Sequence, residues 1–240
     1  MTVADRILDN LPWHALTGPH APLAQGSGKA RRYPRPMAVF AAAEEMNDEG
    51  WSALIELVGP GRAIVLFQPD IGPAPTELSE IGRYPSFQMV AADTPTSAEL
   101  AAFEGADEIT VLGANDVDEM LALTKLTAPG PFFQETYRLG TYLGIRENGR
   151  LIAMAGERLR AEGAAEISAV CTHPDAQRRG LGARLTAAMM AEIRGRGDQP
   201  LLHVARTNHG AIRIYEQLGF RIRRDIVSLA VRVGPDGGTG

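Results

Sequence analysis

The sequence has a single cysteine, Cys171, among its 240 residues. One cysteine cannot form an intramolecular disulfide, and it excludes a zinc site built on several cysteines. The histidines show no metal-ligand spacing, so we predict no metal site. No apolar run approaches the 18 residues of a membrane-spanning helix, and residues 1–6 lack the apolar core of a signal peptide. We therefore expect a cytoplasmic protein without a membrane partner.

Lysine is nearly absent as well: apart from Lys29 and Lys125, the basic residues are all arginines. This bias is typical of a GC-rich, bacterial genome. The formal net charge is −5, which argues against a nucleic-acid partner because such a partner requires a basic face. A small anionic ligand requires only a local positive field, so the net negative charge does not argue against such a ligand. With 45% hydrophobic and 22% charged residues, the composition is that of a soluble globular protein.

Proline and glycine divide residues 1–105 into short elements, which we interpret as a smaller α/β half. The pattern predicts helices over residues 3–11 and 49–57 and strands over residues 62–67 and 87–91. Residues 69–85, with four prolines, are predicted to form an irregular loop.

Residues 106–233 are more regular and are predicted to form a second α/β unit, followed by a flexible tail over residues 234–240. Asn148-Gly149 is a favoured two-residue hairpin turn. Strands are predicted over residues 108–112, 142–146, 151–159, 165–172, 201–205 and 221–232, and helices over residues 116–126, 181–193 and 209–218.

The strongest chemical signal is the stretch from Val170 to Gly182, Val-Cys-Thr-His-Pro-Asp-Ala-Gln-Arg-Arg-Gly-Leu-Gly. A strand is predicted to end at Thr172 and a helix to begin at Leu181. The first N–H groups of a helix have no partner within the helix and carry partial positive charge. Gly180 and Gly182 lack the Cβ atoms that would keep a phosphate away. The pattern predicts a pyrophosphate-sized anion site.

The glycines of this chain allow other interpretations. The two glycines alone fit a tight strand-to-helix turn equally well. A dinucleotide-binding fingerprint would require a third glycine where Leu185 stands. Residues 26–30 superficially resemble a Walker loop, but Ala30 replaces Ser/Thr and Leu23 replaces the first glycine, so we predict a simple loop there.

The segment Gln177-Arg-Arg-Gly-Leu-Gly182 resembles the Gln/Arg-x-x-Gly-x-Gly/Ala motif of the GNAT superfamily of N-acetyltransferases. A second resemblance lies in Asn208-x-x-Ala-x-x-x-Tyr215-x-x-x-Gly-Phe220. The resemblance covers residues 106–232 and implies an α+β fold with a mixed, mainly antiparallel sheet and flanking helices. Residues 1–105 match none of the motifs and are similar to the divergent halves of two-part members; a degenerate copy of the same unit is one option.

The resemblance implies acetyl-coenzyme A as the acetyl donor. Its pantetheine arm is expected along the end of the motif strand, at Val170, Cys171 and Thr172. The remaining cofactor contacts that it implies are Gln177, Arg178, Arg179, Gly180, Leu181, Gly182, Ala183 and Asn208.

Acetylation of an amine requires a proton acceptor for the ammonium, whose pKa is about 10, and a proton donor for a thiolate, whose pKa is about 8.5. The resemblance implies Tyr215 as the donor, although its helix carries an apolar stripe that would equally place it in the core. We rank Glu166 first as the base, followed by Glu157 and His203. Glu157 is expected opposite Ser168, on the face that Glu166 shares.

Regular alternation along the strand predicts that Val170 and Thr172 also lie on the Glu166 face. The same alternation turns Cys171 towards the packed face, so we interpret it as structural rather than as a nucleophile.

The acceptor side is expected near the Pro/Gly-rich loop that carries Phe132 and Phe133, together with Tyr142. At least one of the two phenylalanines should be buried, either as a wall for a hydrophobic acceptor or as a hinge against residues 1–105. We expect residues 1–105 to help shape this pocket.

The leading hypothesis is transfer of an acetyl group from acetyl-coenzyme A to a primary amine of a small molecule or protein, by direct attack in a ternary complex. A non-catalytic sensor of acyl-coenzyme A and an N-acyltransferase that uses a longer acyl chain are the alternatives. The sequence is compatible with a monomer or a homodimer.

Overall fold

The computed structural model describes residues 3–103 and 108–234, which form ten strands and seven α-helices with short 3-10 turns between them. The strands are β1 (Ala30–Arg32), β2 (Ala41–Ala43), β3 (Ala63–Gln68), β4 (Leu78–Ala91), β5 (Ile109–Leu112), β6 (Tyr142–Glu147), β7 (Arg150–Ala161), β8 (Ala164–Thr172), β9 (Gln199–Ala205) and β10 (Phe220–Val233). The helices are α1 (Val3–Asp9), α2 (Leu11–Thr17), α3 (Asp48–Val58), α4 (Ser97–Phe103), α5 (Val117–Thr127), α6 (Leu181–Gly195) and α7 (His209–Gln217).

Eight of the strands form one sheet in the order β3-β10-β4-β9-β8-β7-β6-β5. Only the central pair β8–β9 is parallel, and the other neighbours run antiparallel. The mixed, mainly antiparallel α/β architecture that the resemblance implies is therefore confirmed. β1 and β2 form a separate two-stranded sheet.

The two predicted parts of the chain share this sheet. β3 and β4 come from the first part, and β4 lies between β9 and β10 of the second part. The predicted boundary falls within residues 104–107, outside the described residues, and the division into 1–105 and 106–233 stays a prediction. The predicted tail also lies outside them, apart from Gly234, whose N–H donates to the Glu77 carbonyl.

The irregular loop predicted over residues 69–85 is wrong in its second half, because β4 begins at Leu78 and contains Pro85. Proline has no N–H to donate, which normally excludes it from a central strand. Here Pro85 lies next to the end of β9, whose last paired residue, Ala205, faces Ser86. The Pro85 carbonyl accepts from the Arg206 N–H beyond that end, so the strand tolerates the missing donor.

Other elements follow their sequence signals closely. In the β6–β7 hairpin, Asn148 and Gly149 both have positive φ, 51° and 81°, as a two-residue turn of the favoured type requires. The helix predicted over residues 3–11 is instead two helices, because Pro12 lies in the first turn of α2, where proline is tolerated, and starts a new helix there.

Helices cover both faces of the sheet. α6 packs on β6, β7 and β8 over one apolar core, with α4 and α7 beside it. On the opposite face α5 covers β7 and β8, and α1 and α2 cover the neighbouring part of the sheet. Within the described ranges, no helix has both the length and the apolar character needed to cross a bilayer.

Candidate active site

The loop between β8 and α6 leaves a run of main-chain donors exposed. Arg178 and Gly180 have positive φ, 62° and 76°, and these turns direct the chain into the first turn of α6. Within the described part of the chain, the N–H groups of residues 178–183 make no hydrogen bond; the next N–H, that of Arg184, reaches the Gly180 carbonyl at 3.0 Å. We call residues 178–183 the α6 seat.

A cavity of about 470 Å³ lies against the α6 seat. A Cβ atom on Gly180 would meet nothing within 4 Å, and one on Gly182 would meet only Thr172 and Val170 side-chain atoms at 3.8 Å. The glycines therefore keep open space directly over the free donors. Ala98 of α4 and Ile214 of α7 line the facing walls.

The three arginines near the seat differ in their pairing. Arg179 pairs with Glu147 at 2.8 Å, and Arg184 pairs with Glu108 at 3.3 Å. Arg178 is exposed and has no ion pair with the described residues. The donors of the seat are thus main-chain groups, with Arg178 as the cation left unpaired beside them.

Next to the seat, the central strands separate. The β8–β9 pairing ends at Ile167 and Leu202, and a second cavity of about 450 Å³ opens between the strands beyond that point. We call it the cleft. Thr172 and Gln177 line both cavities, so the α6 seat and the cleft are continuous around the end of β8.

β8 does not alternate regularly along the cleft. Ala169 has a positive φ of 53°, and the β7–β8 register shifts between the pairs Met154–Cys171 and Gly156–Ser168, which is a β-bulge. The predicted alternation is therefore wrong beyond Ser168. Val170 packs on the α6 side of the sheet, whereas Cys171 packs on the α5 side. Bulges are frequent beside active sites.

Tyr215 is the residue that the resemblance implies as the proton donor. It is on α7, which Asn208 caps through a hydrogen bond from the Ala211 N–H, and both Tyr215 and Asn208 line the cleft. The ring also packs on Phe220, with centroids 5.9 Å apart, so the core interpretation holds in part. Burial raises the pKa of the Tyr215 phenol to about 12, which keeps it protonated at neutral pH.

Glu166 lies beneath the cleft, completely buried. Arg158 donates to both of its carboxylate oxygens, from Nε at 2.9 Å and from Nη2. Burial alone would raise the pKa of Glu166, but the charge of Arg158 and the hydrogen bonds from Arg158 and His203 outweigh it and lower this pKa to about 2. A carboxylate held in this way is a weak base, so the arrangement favours a positioning role over the predicted base role.

His203 lines the cleft, but both of its ring nitrogens are engaged. Nδ1 lies 2.7 Å from Glu166 Oε1, and Nε2 lies 3.1 Å from Nε2 of Gln88. The Gln88 amide is oriented by Arg223, which donates to its oxygen, and by the Leu8 carbonyl, which accepts from its nitrogen. Because Gln88 Nε2 can only donate, His203 Nε2 must accept and Nδ1–H must donate to Glu166. This assigns a neutral imidazole with no nitrogen left for a proton transfer.

Glu157 does not share the face of Glu166. It lies opposite Ile167 rather than Ser168, one residue from the predicted register, and a one-residue change moves a side chain to the other face. Its carboxylate is buried on the α6 side, where Arg196 donates to both oxygens at 3.0 and 2.8 Å. Glu157 is not one of the described residues that line the cleft.

The acceptor residues predicted from sequence are only partly at the cleft. Thr127, Ala128 and Pro129 line it, whereas Phe132 and Phe133 are half-buried beside it. The Phe132 ring packs on Tyr142, with centroids 5.7 Å apart. Tyr142 is 1% exposed, which leaves no surface for a direct substrate contact.

Cys171 lines the cleft from a buried position. Burial raises the pKa of its thiol to about 11. A thiol that stays protonated is a poor nucleophile, in keeping with the structural interpretation.

Sequence reasoning missed Arg158 and the side chains around it. Phe40 and Phe67 pack on the Arg158 guanidinium, and Gln88 holds His203. None of the cleft's described lining residues comes from the first part of the chain. That part contacts the site through Phe40, Phe67 and Gln88, which lie behind Arg158 and His203. The sequence carries no distinct signal for this role, because β7 contains three arginines, Arg150, Arg158 and Arg160.

Replacing Glu166 with glutamine should destabilise the protein by about 3 kcal/mol at pH 7, because the buried Arg158 guanidinium loses its carboxylate. The pKa of Glu166 is lowered by folding, so its contribution is complete above the pKa of an unfolded glutamate, about 4.3, and is lost as the pH falls towards 2. Urea unfolding of Glu166→Gln and wild type should show a stability difference that narrows from pH 5 to pH 2.

Glu147→Gln is the matched control, since Glu147 pairs with Arg179 at the exposed surface, and it should change stability little. Equal stabilities of Glu166→Gln and wild type at pH 7, or a difference independent of pH, would contradict the assignment.

The sequence and fold of this chain are similar to those of known proteins. The FR47-like protein family matches residues 142–228, from β6 into β10. Mycothiol acetyltransferase of Saccharopolyspora erythraea is 28% identical over 156 residues, which are 60% of this chain and 50% of that protein. Mycothiol acetyltransferase of Thermobispora bispora is 44% identical over 66 residues, 25% of this chain and 22% of that protein. This chain thus spans at most about half the length of these relatives.

Two solved structures are similar over nearly the whole chain. A GCN5-related N-acetyltransferase from Kribbella flavida has a TM-score of 0.60 and 20% identity over 99% of this chain and 97% of that chain, which shows a shared fold. A protein of the GNAT acetyltransferase family from Novosphingobium aromaticivorans has a TM-score of 0.85 and 38% identity, over 95% of this chain and 98% of that chain. Identity at this level and coverage shows that the chain belongs to the GNAT family of acetyltransferases.

Proposed function

We propose that this protein transfers an acetyl group from acetyl-coenzyme A to a primary amine, by direct attack of the amine in a ternary complex. The observation that carries the proposal is the run of free main-chain donors in the α6 seat, continuous with a cleft between separated strands. Free N–H groups at a helix start bind phosphate groups, and the adjoining cleft offers a place for the reacting end of the donor.

The residues present fit coenzyme A as the ligand. The α6 seat supplies several unpaired donors, the open space over Gly180 and Gly182 admits a diphosphate, and Arg178 adds a cation. When bound, acetyl-coenzyme A supplies an activated thioester. The β8 backbone from Ser168 to Thr172 lines the cleft without pairing to β9 and is the edge along which we expect the pantetheine arm.

The amine nitrogen forms a bond to the acetyl carbon, and the carbon–sulfur bond breaks. An ammonium that enters the site loses two protons overall, one of which ends on the thiol sulfur and one of which goes to solvent. The cleft-lining residues include no aspartate or glutamate in the described chain, so we infer that water accepts the first proton rather than Glu166, Glu157 or His203.

Tyr215 is the group that we assign to the departing sulfur. Its phenol stays protonated because its pKa is raised to about 12, and it makes no hydrogen bond with the described residues. The pKa of a thiol is about 8.5, so full transfer from the phenol would be uphill. Tyr215 therefore stabilises the developing thiolate by donating a hydrogen bond.

Removal of the Tyr215 hydroxyl should lower kcat roughly 100-fold while the affinity for coenzyme A stays unchanged, because the hydroxyl acts only as sulfur leaves. Steady-state release of thiol with a panel of amines measures this for Tyr215→Phe. Tyr84→Phe is the control, since Tyr84 is 56% exposed on β4. An unaltered kcat in Tyr215→Phe would show that the Tyr215 hydroxyl takes no part in the reaction.

A negative charge placed in the α6 seat should abolish coenzyme A binding without harm to the fold. Gly182→Asp adds a carboxylate to the first turn of α6, where it stabilises a helix but repels a diphosphate. We expect the Kd for coenzyme A to rise at least about 100-fold, with no fall in melting temperature.

Ala191→Asp introduces the same charge at an exposed position of the same helix and should bind coenzyme A like wild type. Calorimetry measures the Kd for coenzyme A of both variants. Tight binding by Gly182→Asp would show that the phosphates lie elsewhere. Tight binding to wild type without acetylation of any amine would indicate a sensor instead of an enzyme.

A further inference from the structure

One charged group in the cleft has no task in the reaction proposed above. Arg158 uses Nε and Nη2 to hold Glu166, whereas its third nitrogen, Nη1, makes no hydrogen bond with any described residue. The side chain lines the cleft and is 12% exposed. A guanidinium nitrogen is a donor only, so Nη1 is a donor without a partner among the described residues, on a side chain that lines the cleft.

The position of this donor is fixed from three sides. The Arg158 guanidinium lies 4.7 Å from the ring centroid of Phe40 and 5.1 Å from that of Phe67. Both rings are themselves buried, and Glu166 holds the guanidinium edge through two parallel hydrogen bonds. A donor held in this way loses little entropy when it binds a ligand.

The charge of the cleft limits which amines it can hold. Arg158 is the one formally charged residue among the described lining residues, and Glu166 neutralises it from below. A second ammonium group, as in a polyamine, would find no carboxylate here. A carbonyl or carboxylate oxygen would find the free Nη1–H donor.

We propose that the acceptor is an α-amino carbonyl compound, whose amine is acetylated while its carbonyl or carboxylate oxygen accepts a hydrogen bond from Arg158 Nη1. The inference rests on the proposed function and names the substrate class of the same site. The cleft of about 450 Å³ must also admit the acetyl end of the donor, which favours a carbonyl group attached to the carbon that bears the amine. Arg158 is then a specificity-determining residue.

Three acceptors that differ at one group test the proposal: ethylamine, alanine and alaninamide. The last two add a carboxylate or a carboxamide to the carbon that bears the amine. For wild type and Arg158→Lys, kcat/KM is measured for each acceptor, and the ratio to ethylamine is compared between the enzymes. The intrinsic basicity of each amine is the same for both enzymes and cancels from this comparison.

Lysine retains the positive charge beside Glu166 but lacks the third planar donor. We expect the preference for alanine or alaninamide over ethylamine to fall at least about tenfold in Arg158→Lys. Arg160→Lys is the matched control: Arg160 is on the same strand and pairs with Asp198 at 3.1 Å away from the cleft, so its ratios should equal those of wild type. Preference for the carboxylate identifies a free amino acid, and preference for the amide identifies an aminoacyl group.

Ratios that are unchanged in Arg158→Lys, or an equal loss for all three acceptors, overturn the inference while the proposed acetylation stands. Absence of acetylation with every amine, despite binding of coenzyme A, overturns the proposed function and the inference together. Should Arg158→Lys fail to fold, the side-chain NMR signal of Arg158 in wild type decides. A shift with alaninamide but not with ethylamine supports the inference, and no shift with either overturns it.

Discussion

The unpaired N–H groups at the start of α6 are the interaction on which the rest of the site depends. Every helix start leaves such donors, and a capping side chain normally satisfies one of them. Here the residue before the helix is Gly180, which has a positive φ and no side chain that could accept a hydrogen bond from the first N–H groups of α6. The donors are left for a ligand. Because β8 ends beside them, whatever binds there is directed towards the space between β8 and β9.

That space exists because a parallel pair lies in an otherwise antiparallel sheet. β8 and β9 pair over four residues and then diverge, while β9 continues alongside β4. The bulge at Ala169 turns the last part of β8, so that Cys171 and Val170 exchange the faces that regular alternation gives them. The first part of the chain supplies β4 and the rings that hold Arg158. Among the described residues, it therefore supports the cleft from behind and contributes none of the lining.

The features that the sequence predicted are those with local causes. The Asn148-Gly149 turn, the Asn208 cap and the glycines before α6 each act within a few residues, so their patterns can be read directly. The position of β4 depends on pairing with β10, which is more than a hundred residues away in the chain. The four prolines of residues 69–85 indicated a loop instead of a strand. The Arg158–Glu166 pair and the one-residue shift of Glu157 both follow from bulges, which change register without a distinct sequence signal. The base roles predicted for Glu166 and His203 omitted their partners for the same reason: Arg158 and Gln88 are brought to them only by the folded sheet.

The most direct test of the central claim is a titration of ¹⁵N-labelled protein with coenzyme A, followed by amide NMR shifts. Hydrogen bonding to phosphate oxygens should move the amide protons of residues 178–183 downfield together, with smaller changes along residues 168–172 of β8. Large shifts elsewhere with an unaffected α6 start would contradict the account, since the diphosphate would then lie at another site.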